Sequence, residues 1–474
     1  MVEPGFFVDR GPELRSLEEA WASGRPGLVA VYGRRRVGKT RLIMEWLRGK
    51  PHAYYQAGLW PGNLEALAAA AAEQLGLEPL REAAPRSLRG LFSLLAALIG
   101  GRRAAVVVDE FTYWLRVEPG VVSELQYVVD HVLPGTRLLL VVSGSLVGLM
   151  QREVLGGGSP LYGRALLRRR LGELPPWCLP WFAPRYGPVE LVEAYAFFGG
   201  LPFYLRLVDD SSPPLEELLR ILGPGGVLED EPLFLLREEF REPSPYLALL
   251  RALSQGATSL GEAAQLAGLP TSHASRYLHT LRDLGLVERE RLLFQRRRSR
   301  YRVADNLLAA WLAVVEPAAS LLRDNPPAGR RLAAQLAARH VARVWERLSC
   351  LHAVSQLAPR LGLSPSTYGR LERRGEEIDC AVIDESSETV LLVEAKWSSL
   401  TAREARRVAA AAARKAQALL PSPMSGYRVV AAVYARSADP AGDALVVTAR
   451  DMPWGGGCPG PARGASTKPP GGGD

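Results

Sequence analysis

The eight residues Gly33-Arg34-Arg35-Arg36-Val37-Gly38-Lys39-Thr40 decide the fold of this chain. They follow an apolar run, Leu28 to Tyr32, and precede a helical pattern from Arg41 to Arg48. In the spacing G-x-x-x-x-G-K-[ST], the glycines let backbone N–H groups surround phosphates at a helix N-terminus, the lysine reaches the outer phosphate oxygens, and the hydroxyl supplies a Mg²⁺ ligand. We therefore predict that this loop, with Arg41, binds ATP and Mg²⁺. The alternative is a chance glycine-rich turn.

The second half of such a site is an acidic residue at the end of a neighbouring strand. Ala104 to Val108 is an apolar run that leads directly into Asp109 and Glu110. Asp109 is predicted to hold Mg²⁺ through water, and Glu110 to orient or activate the water that attacks the nucleotide. The alternative is that the two acids only cap the end of a strand.

Short apolar runs alternate with longer helical patterns over the first 150 residues, which is typical of a parallel sheet covered by helices. Leu138 to Val142 is a further strand candidate, and a proline-rich stretch from Pro175 to Pro188 follows. We predict an α/β protein with these parts: a P-loop NTPase parallel-sheet core at 1–175, a helical lid at 176–244, a winged helix-turn-helix at 245–305, a helical linker at 306–335, a mixed α/β domain at 336–452 and a disordered tail at 453–474.

Composition is that of a globular protein, with 47% hydrophobic and 23% charged residues. No apolar run approaches the roughly 20 residues needed to cross a bilayer, and the N-terminus does not have the pattern of a signal peptide. Four scattered cysteines, Cys178, Cys350, Cys380 and Cys458, show neither a disulfide framework nor metal-binding spacing. These features predict a cytoplasmic protein that does not bind a membrane.

The chain contains further short sequence motifs besides the phosphate-binding loop: FVDRGPEL from Phe7, Ser143-Gly144-Ser145, PLYGR ending at Arg164, and Gly199-Gly200-Leu201-Pro202. With them, the first part of the chain resembles the archaeal ATPase family within the AAA+/STAND group of P-loop proteins. The resemblance implies that Arg10 lies near the adenine, that Ser143 or Ser145 contacts the γ-phosphate region, and that the Pro202 step lets a lid close over the base. Arg164 becomes a candidate charge sensor or finger; a solvated basic face is its alternative, because more arginines follow.

Helical runs from Leu260 to Ala267 and from Ser272 to Leu284 are joined by a short glycine-containing turn, and two strand-like runs follow, Leu286 to Glu290 and Ser299 to Val303. This order predicts a winged helix-turn-helix. Ten arginines against four acids give 251–302 a net charge of +6, which suits DNA phosphates. The candidate DNA contacts are Ser272, His273, Ser275, Arg276, Arg297, Arg298 and Arg300. A protein-docking or structural role is the alternative.

Near the C-terminus, Asp379 precedes the apolar run Cys380 to Ile383, and Val390 to Val393 ends in Glu394-Ala395-Lys396. Two carboxylates and an ammonium at one end of a hairpin suit Mg²⁺ and phosphate chemistry. With Trp345-Glu346, Tyr368-Gly369-Arg370 and Trp397, this segment resembles the PD-(D/E)xK nuclease-like domain attached to archaeal ATPases, a restriction-endonuclease-like α/β fold. The resemblance implies Asp379, Glu394 and Glu346 as metal ligands and Lys396 as catalytic. An ordinary strand pattern, or an inactive domain of that fold, is the alternative.

Together these motifs predict an ATP-hydrolysing, DNA-associated protein with a metal-dependent nuclease-like domain, and they are compatible with a homo-oligomer. A second hypothesis is a STAND-type signalling or defence switch, in which the winged helix and the C-terminal domain are structural. A third is a nucleotide-gated scaffold in which both active sites are vestigial. Salt-dependent binding of duplex DNA separates the first hypothesis from the second.

Overall fold

A computed structural model of the chain describes residues 7–295, 298–373, 375–456 and 458. The chain divides into two compact units. The first contains the residues up to Leu174 together with Leu201–Phe203, and the second contains Pro175–Gly200 and Tyr204–Cys458. The segments predicted as winged helix, helical linker and C-terminal domain all lie in the second unit.

The first unit is a five-stranded parallel sheet with helices around it. Its elements are, in order, α1 (Gly11–Ala22), β1 (Gly27–Tyr32), α2 (Lys39–Leu47), β2 (His52–Gln56), α3 (Asn63–Leu75), α4 (Glu78–Ala83), α5 (Leu88–Ile99), β3 (Ala104–Asp109), α6 (Phe111–Val117), α7 (Val121–Tyr127), β4 (Leu138–Gly144), α8 (Val147–Leu149) and β5 (Ala165–Arg170). A π-helical turn follows α7 at Val128–Val132 and another follows α8 at Met150–Leu155.

The strand order is β2-β3-β4-β1-β5. Every residue of β3 and β4 is buried, as expected for central strands covered by helices on both faces. The three strands predicted from apolar runs are therefore confirmed as β1, β3 and β4, while β2 and β5 were not predicted. Because β4 lies between β1 and β3, the ends of these three strands form one edge of the sheet, where the predicted nucleotide-binding residues lie.

The second unit continues the chain with helices, a hairpin and a mixed sheet. Its elements are α9 (Pro188–Phe198), α10 (Pro202–Leu205, which begins in the first unit), α11 (Pro214–Leu222), α12 (Glu231–Glu239), α13 (Ser244–Ser254), α14 (Leu260–Leu266), α15 (Thr271–Leu284), β6 (Val287–Arg291), β7 (Ser299–Val303), α16 (Asn306–Ala310), α17 (Glu316–Asp324), α18 (Pro326–His352), α19 (Ala358–Arg360), β8 (Thr367–Arg373), β9 (Glu376–Asp384), β10 (Thr389–Leu400), α20 (Ala402–Leu419), β11 (Arg428–Ala438) and β12 (Leu445–Thr448).

The helix-turn-helix expected from the sequence is present as α13 to α15, and the antiparallel hairpin of β6 and β7 forms its wing. Ser259 caps α14 by accepting from the N–H of Glu262, whose carboxylate returns a bond to the Ser259 N–H. This reciprocal pair satisfies two backbone donors at the start of the helix and is worth about 1 kcal/mol. Ala274, Leu278 and Leu281 face the core of this segment, at the helical spacing that predicted them.

The C-terminal sheet has the order β12-β11-β10-β9-β8. Strands β8, β9 and β10 pair antiparallel, whereas β10, β11 and β12 pair parallel. Ala412, Ala416 and Leu419 of α20 pack into its core. On α18, Trp345 is fully buried, with its ring 6.3 Å from that of Tyr434 on β11. The predicted mixed α/β domain is therefore confirmed.

The four cysteines are paired, Cys178 with Cys458 and Cys350 with Cys380, so the expectation of no disulfide framework was wrong. The Cα atoms of the two pairs are 5.4 and 5.6 Å apart, within the range that a disulfide spans. Separations of 280 and 30 residues gave no signal in the sequence because folding alone brings these positions together. Disulfides are typical of oxidising compartments, but intracellular proteins of hyperthermophiles also carry them, so the pairing does not fix a location.

Two further segments differ from expectation. Asn306–Asp324 is one continuous helical run, long and apolar enough to span a membrane, with a mean hydropathy of 1.2; half of it is buried inside the protein, as in a core helix. The described start of the predicted disordered tail is held in place, since the Trp454 ring lies 6.0 Å from that of Trp177 and its Nε1–H donates to the Ala449 carbonyl at 2.7 Å. Residues 457 and 459–474 of that prediction lie outside the described residues.

Candidate functional site

The phosphate-binding loop joins β1 to α2, as its sequence predicted. Gly33 lies so close to the chain after β5 that an added Cβ would come within 2.4 Å of the Leu171 carbonyl oxygen, and its own N–H donates to the Gly144 carbonyl at 3.3 Å. Gly38 adopts a φ of +97° just before α2, a conformation that a side chain would strain. The two glycines of the motif thus have different roles: the first allows close packing, and the second allows the left-handed turn before α2.

Lys39 lies folded over the loop and is only 4% exposed. Its Nζ donates to the carbonyl oxygens of Gly33 at 3.0 Å and Arg34 at 3.1 Å. These two carbonyls are neutral acceptors, and phosphate oxygens would form stronger charge-assisted bonds with the ammonium.

Thr40 and Asp109 meet across the sheet edge. The Thr40 hydroxyl donates to Asp109 Oδ2 at 2.6 Å, and the Ser143 hydroxyl, from the end of β4, donates to Asp109 Oδ1. Asp109 is fully buried. The structure therefore brings together three residues that the sequence assigned to the nucleotide site.

Tyr54 of β2 is a member of this site that the sequence did not reveal. Its hydroxyl donates to Asp109 Oδ2 at 2.8 Å. Burial and the neighbouring Asp109 charge raise the pKa of Tyr54 above its ordinary value, so the hydroxyl remains a donor at physiological pH. The only available signal was a tyrosine on an unpredicted strand beside β3.

Glu110 follows Asp109 with a φ of +51°, at the start of α6. Its Oε2 accepts from the N–H of Ser145 at 3.2 Å and from the Ser145 hydroxyl at 2.6 Å. The sequence assigned either Ser143 or Ser145 to the γ-phosphate region; the structure bonds Ser143 to Asp109 and Ser145 to Glu110. Each acid at the end of β3 is thus oriented by a serine from the end of β4.

Arg10 is buried against the same loop. Its Nη2 donates to the carbonyls of Val37 at 3.2 Å and Gly172 at 2.7 Å, and Nη1 lies 3.8 Å from Glu13. Burial lowers the pKa of Arg10, against the charge of Glu13. These bonds tie the loop to the segment after β5, so Arg10 fixes the shape of the loop through its backbone.

The three arginines inside the loop each contact a side chain. Arg34 lies 3.5 Å from Glu173, and Arg35 donates to the Tyr113 hydroxyl at 3.2 Å. The Arg36 guanidinium lies 4.0 Å from the centre of the Phe203 ring, a cation–π contact. Phe203 directly follows Pro202, the last residue of the predicted Gly-x-Pro step.

Arg164, predicted as a sensor or finger, precedes β5 and pairs with an acid. Its Nε donates to both oxygens of Asp130 at 2.7 and 3.0 Å. The hydrogen bond from Arg164 lowers the pKa of Asp130, so this carboxylate stays charged. Arg164 is therefore engaged with Asp130 in this structure.

The donors around the loop fit Mg²⁺ and a nucleotide triphosphate. The Thr40 hydroxyl and the Asp109 carboxylate supply oxygen, the ligand type that Mg²⁺ prefers. A Cβ added to Gly38 would meet no described atom within 4 Å, so the outer side of the loop is open. On the next helix, Nε and Nη2 of Arg41 are buried and have no hydrogen-bond partner among the described residues, as expected of a group that awaits an anion.

The recognition helix α15 presents the polar set that the sequence predicted. Ser272, His273, Ser275 and Arg276 are all exposed, whereas Ala274 between them is buried. The geometry of α15 therefore leaves one polar face available to a groove of DNA or to a protein.

The wing has a different environment. Arg300 lies 3.5 Å from Glu372 and 3.2 Å from Glu377, and Arg298 lies 3.8 Å from Glu372. The backbone N–H of Leu293 also donates to the Arg370 carbonyl at 2.9 Å. Two of the arginines predicted to contact DNA therefore face acids at β8 and β9, and Arg297 lies outside the described residues.

The acids predicted to bind metal in the C-terminal domain all have basic partners. Arg370 bonds Glu346 at 2.6 Å and Asp379 at 3.2 Å. Glu394 lies 3.5 Å from Lys396 and 3.1 Å from Lys415. Burial raises the pKa of Glu346, as does the Asp379 charge, while Arg370 opposes both.

In the part of the chain that the structure describes, no group of three or more His, Cys, Asp or Glu side chains is arranged to hold a metal ion. The sequence placed Asp379, Glu394 and Lys396 at one end of the hairpin, but it gave no signal for Lys415, and the partners of Arg370 could not be read from spacing. As they stand, these side chains do not fit a divalent cation.

Three known families match successive parts of the chain. An ATPase domain found predominantly in Archaea matches residues 7–208. An IclR-type helix-turn-helix domain matches residues 246–291, and a group of archaeal and bacterial proteins of unknown function matches residues 311–408. The matches follow the order of the parallel sheet, the helix-turn-helix and the start of the C-terminal region.

An uncharacterized protein of Methanocaldococcus jannaschii is 30% identical over 409 residues, which are 85% of this chain and 90% of that protein. An uncharacterized ATP-binding protein of the same organism is 50% identical over 45 residues, 10% of this chain and 76% of that protein. The solved Walker-type ATPase of Pyrococcus abyssi has a TM-score of 0.51 at 20% identity, over 66% of this chain and 99% of that one. The last likeness shows a shared P-loop ATPase fold.

Proposed function

This chain belongs to the ATPase family found predominantly in Archaea, and on that premise we propose that it binds ATP with Mg²⁺ and hydrolyses it at the loop between β1 and α2. The observation that carries the proposal is the 2.6 Å bond between Thr40 and Asp109, with Glu110 oriented beside it by Ser145. A metal-ligand pair and an adjacent carboxylate are the parts that phosphoryl transfer to water requires.

Lys39 and the loop bind the phosphates. The Lys39 ammonium exchanges its two carbonyl partners for phosphate oxygens, while outward N–H groups of the loop and the start of α2 add positive potential. Thr40 and Asp109 hold Mg²⁺, which neutralises charge on the phosphates when bound. Tyr54 and Ser143 keep the Asp109 carboxylate in one orientation by donating to it.

Glu110 is the group that we assign to the attacking water. Its carboxylate accepts a proton from that water, and the two bonds from Ser145 to Oε2 hold the side chain in one orientation. Arg164 is proposed as a sensor of nucleotide charge, acting when its pair with Asp130 opens.

The test measures ATP binding and phosphate release separately. Lys39→Ala is expected to weaken binding and abolish turnover, and Glu110→Gln to keep binding while turnover falls roughly 10²–10⁴-fold. Lys50→Ala is a matched control, because this lysine pairs with Glu18 at 2.9 Å and takes no part in the loop contacts described above. Parental turnover by both Lys39→Ala and Glu110→Gln would refute the proposal.

We also propose that α15 contacts duplex DNA. The four exposed polar residues from Ser272 to Arg276 and the match to an IclR-type helix-turn-helix domain support it. Binding should weaken as salt rises, and Arg276→Ala should weaken it further, whereas Arg323→Ala, whose guanidinium pairs with Glu229, should not. Duplex affinity unaffected by both salt and Arg276→Ala would favour the signalling switch, in which this helix binds protein.

The sequence also leads us to propose a more specific activity, metal-dependent DNA cleavage by Asp379, Glu394 and Lys396. The basic partners of Asp379, Glu394 and Glu346 weigh against it in the conformation described. Incubation of the full chain with duplex and single-stranded DNA and Mg²⁺, beside Lys396→Ala, tests it directly: cleavage that is lost in the variant supports the nuclease.

A further inference from the structure

Arg370 is the central side chain of an acidic cluster in the second unit. Its guanidinium bonds Glu346 on α18 at 2.6 Å and Asp379 on β9 at 3.2 Å, through different nitrogens. Two more carboxylates surround it, Glu377 at 3.4 Å and Glu290 on β6 at 3.8 Å. Acids from three separate elements therefore converge on one cation.

The cation is part of the fold and not a mobile surface group. The Arg370 side chain is 10% exposed and that of Asp379 is 8% exposed, so each is largely withdrawn from water. The backbone of Arg370 is fixed as well, because its carbonyl accepts from Leu293 and it bridges Leu292. A planar guanidinium suits this position because its nitrogens can bond to two carboxylates that face it from different elements.

The same contacts exclude a metal ion. Mg²⁺ requires carboxylate oxygens at about 2.0–2.1 Å in near-octahedral geometry. The Glu346 and Asp379 oxygens already bond Arg370, and the second oxygen of Asp379 accepts from the Ala395 N–H at 2.9 Å. A divalent cation between these acids would lie against the guanidinium charge, and the Lys396 and Lys415 charges lie nearby on Glu394.

We infer that Arg370 is the fixed cation of this acidic cluster, in the place where the sequence predicted Mg²⁺, and that the C-terminal domain folds without a divalent metal at these acids. The cluster then links the wing, α18 and the C-terminal sheet, with Glu290, Glu346 and Asp379 as its anchors. The inference does not depend on ATP hydrolysis, because it concerns residues of the second unit alone.

Binding of Mn²⁺, followed by electron paramagnetic resonance on the full chain without nucleotide, tests the inference. All proteins carry Asp109→Asn, which removes the metal ligand of the loop in the first unit. This parent is expected to show no Mn²⁺ site that depends on Asp379. Arg370→Met removes the guanidinium but keeps an apolar side chain. This variant is expected to gain one Mn²⁺ site, and Mn²⁺ should raise its thermal stability. Adding Asp379→Asn to this variant should remove both effects.

Arg406→Met is the control, since Arg406 lies on α20, where it donates to the Ala441 carbonyl; it should gain no site. A parent that binds Mn²⁺ and loses it on Asp379→Asn would overturn the inference, and this comparison stands even if Arg370→Met does not fold. A folded Arg370→Met variant that binds no Mn²⁺ would also overturn it, because the vacated position would then not be a cation position.

Discussion

The Thr40 hydroxyl donates to Asp109 Oδ2 at 2.6 Å, and this bond links the first turn of α2 to the end of β3, two strands away from β1 in the sheet. It joins the two halves of the proposed nucleotide site. The contact holds close together the two oxygens that we propose as Mg²⁺ ligands.

Thr40→Val tests the effect of the Thr40 hydroxyl separately from the effect of side-chain volume. Valine keeps the volume but has no oxygen, so ATP turnover is expected to fall about 10²-fold or more. Thr40→Ser keeps the oxygen and should retain most turnover. Phosphate release at saturating Mg²⁺ measures both; equal turnover by the valine and serine variants would contradict the assignment of Thr40 as a metal ligand.

Tyr54→Phe removes one of the donors to buried Asp109. We expect the free energy of unfolding to fall by about 1 kcal/mol and turnover to fall as well, because the carboxylate loses a fixed orientation. Tyr55→Phe is the matched control: its hydroxyl donates to Asn63 at 2.7 Å, away from Asp109, so it should cost stability without slowing hydrolysis. Chemical denaturation and phosphate release test the pair, and a slower Tyr55→Phe enzyme would count against the distinction.

Neutralising the acids that face the wing should strengthen DNA binding. Glu372→Gln with Glu377→Gln removes the carboxylates that pair with Arg298 and Arg300 in the described part of the chain. We expect duplex affinity to rise roughly threefold to tenfold, with a steeper salt dependence. Fluorescence anisotropy across a salt series measures both quantities. Unchanged affinity would mean that the wing does not reach the phosphates. The charge-matched control is Glu385→Gln with Glu388→Gln, which removes two negative charges from exposed positions between β9 and β10.

Lowering the pH should destabilise the second unit, because His340 becomes protonated more readily in the unfolded chain than in the folded one. Burial lowers the pKa of His340 from 6.5 to about 4, against its bond to the Ala196 carbonyl and with help from the charges of Arg343 and Arg347. Between these values the unfolded chain binds a proton that the folded chain does not, so the free energy of unfolding decreases as pH falls from 6.5 to 4, by at most about 3 kcal/mol from this residue.

His340→Phe should flatten that dependence without abolishing it, because His352 is also buried and its pKa is lowered to about 4. Thermal unfolding of the parent and the variant at several pH values between 4 and 7 gives the two slopes. Parallel slopes would show that His340 titrates as it does in the unfolded chain.

The parts of this structure that local chemistry determines could be predicted from the sequence. The loop from Gly33 to Thr40 and the strand before Asp109 carry their own signals, in glycine spacing and in apolar runs. Strand β2 is only five residues long and partly exposed, so it had no such signal, and Tyr54 was missed with it. Half-buried edge strands depend on their neighbours in the sheet.

The C-terminal acids show the other limit of sequence reasoning. The sequence placed Asp379 and Glu394 at one end of the hairpin, and the antiparallel pairing of β9 with β10, with Cys380 opposite Val393, puts them there. Which cation those acids meet depends on the packing of α18, β8 and α20 around them. The sequence therefore placed Arg370 in a recognisable phrase but did not assign it to these acids, and it gave no signal for Lys415.

The bond between Cys178 and Cys458 has a topological consequence. It closes the chain into a covalent ring that begins before α9 and returns after β12, so a single proteolytic nick between these cysteines leaves one molecule, joined until it is reduced. New chain termini could in principle be placed at any exposed position of such a ring. New termini introduced at an exposed loop of the ring, such as the turn between β9 and β10, would preserve its connectivity and make the second unit a natural subject for circular permutation.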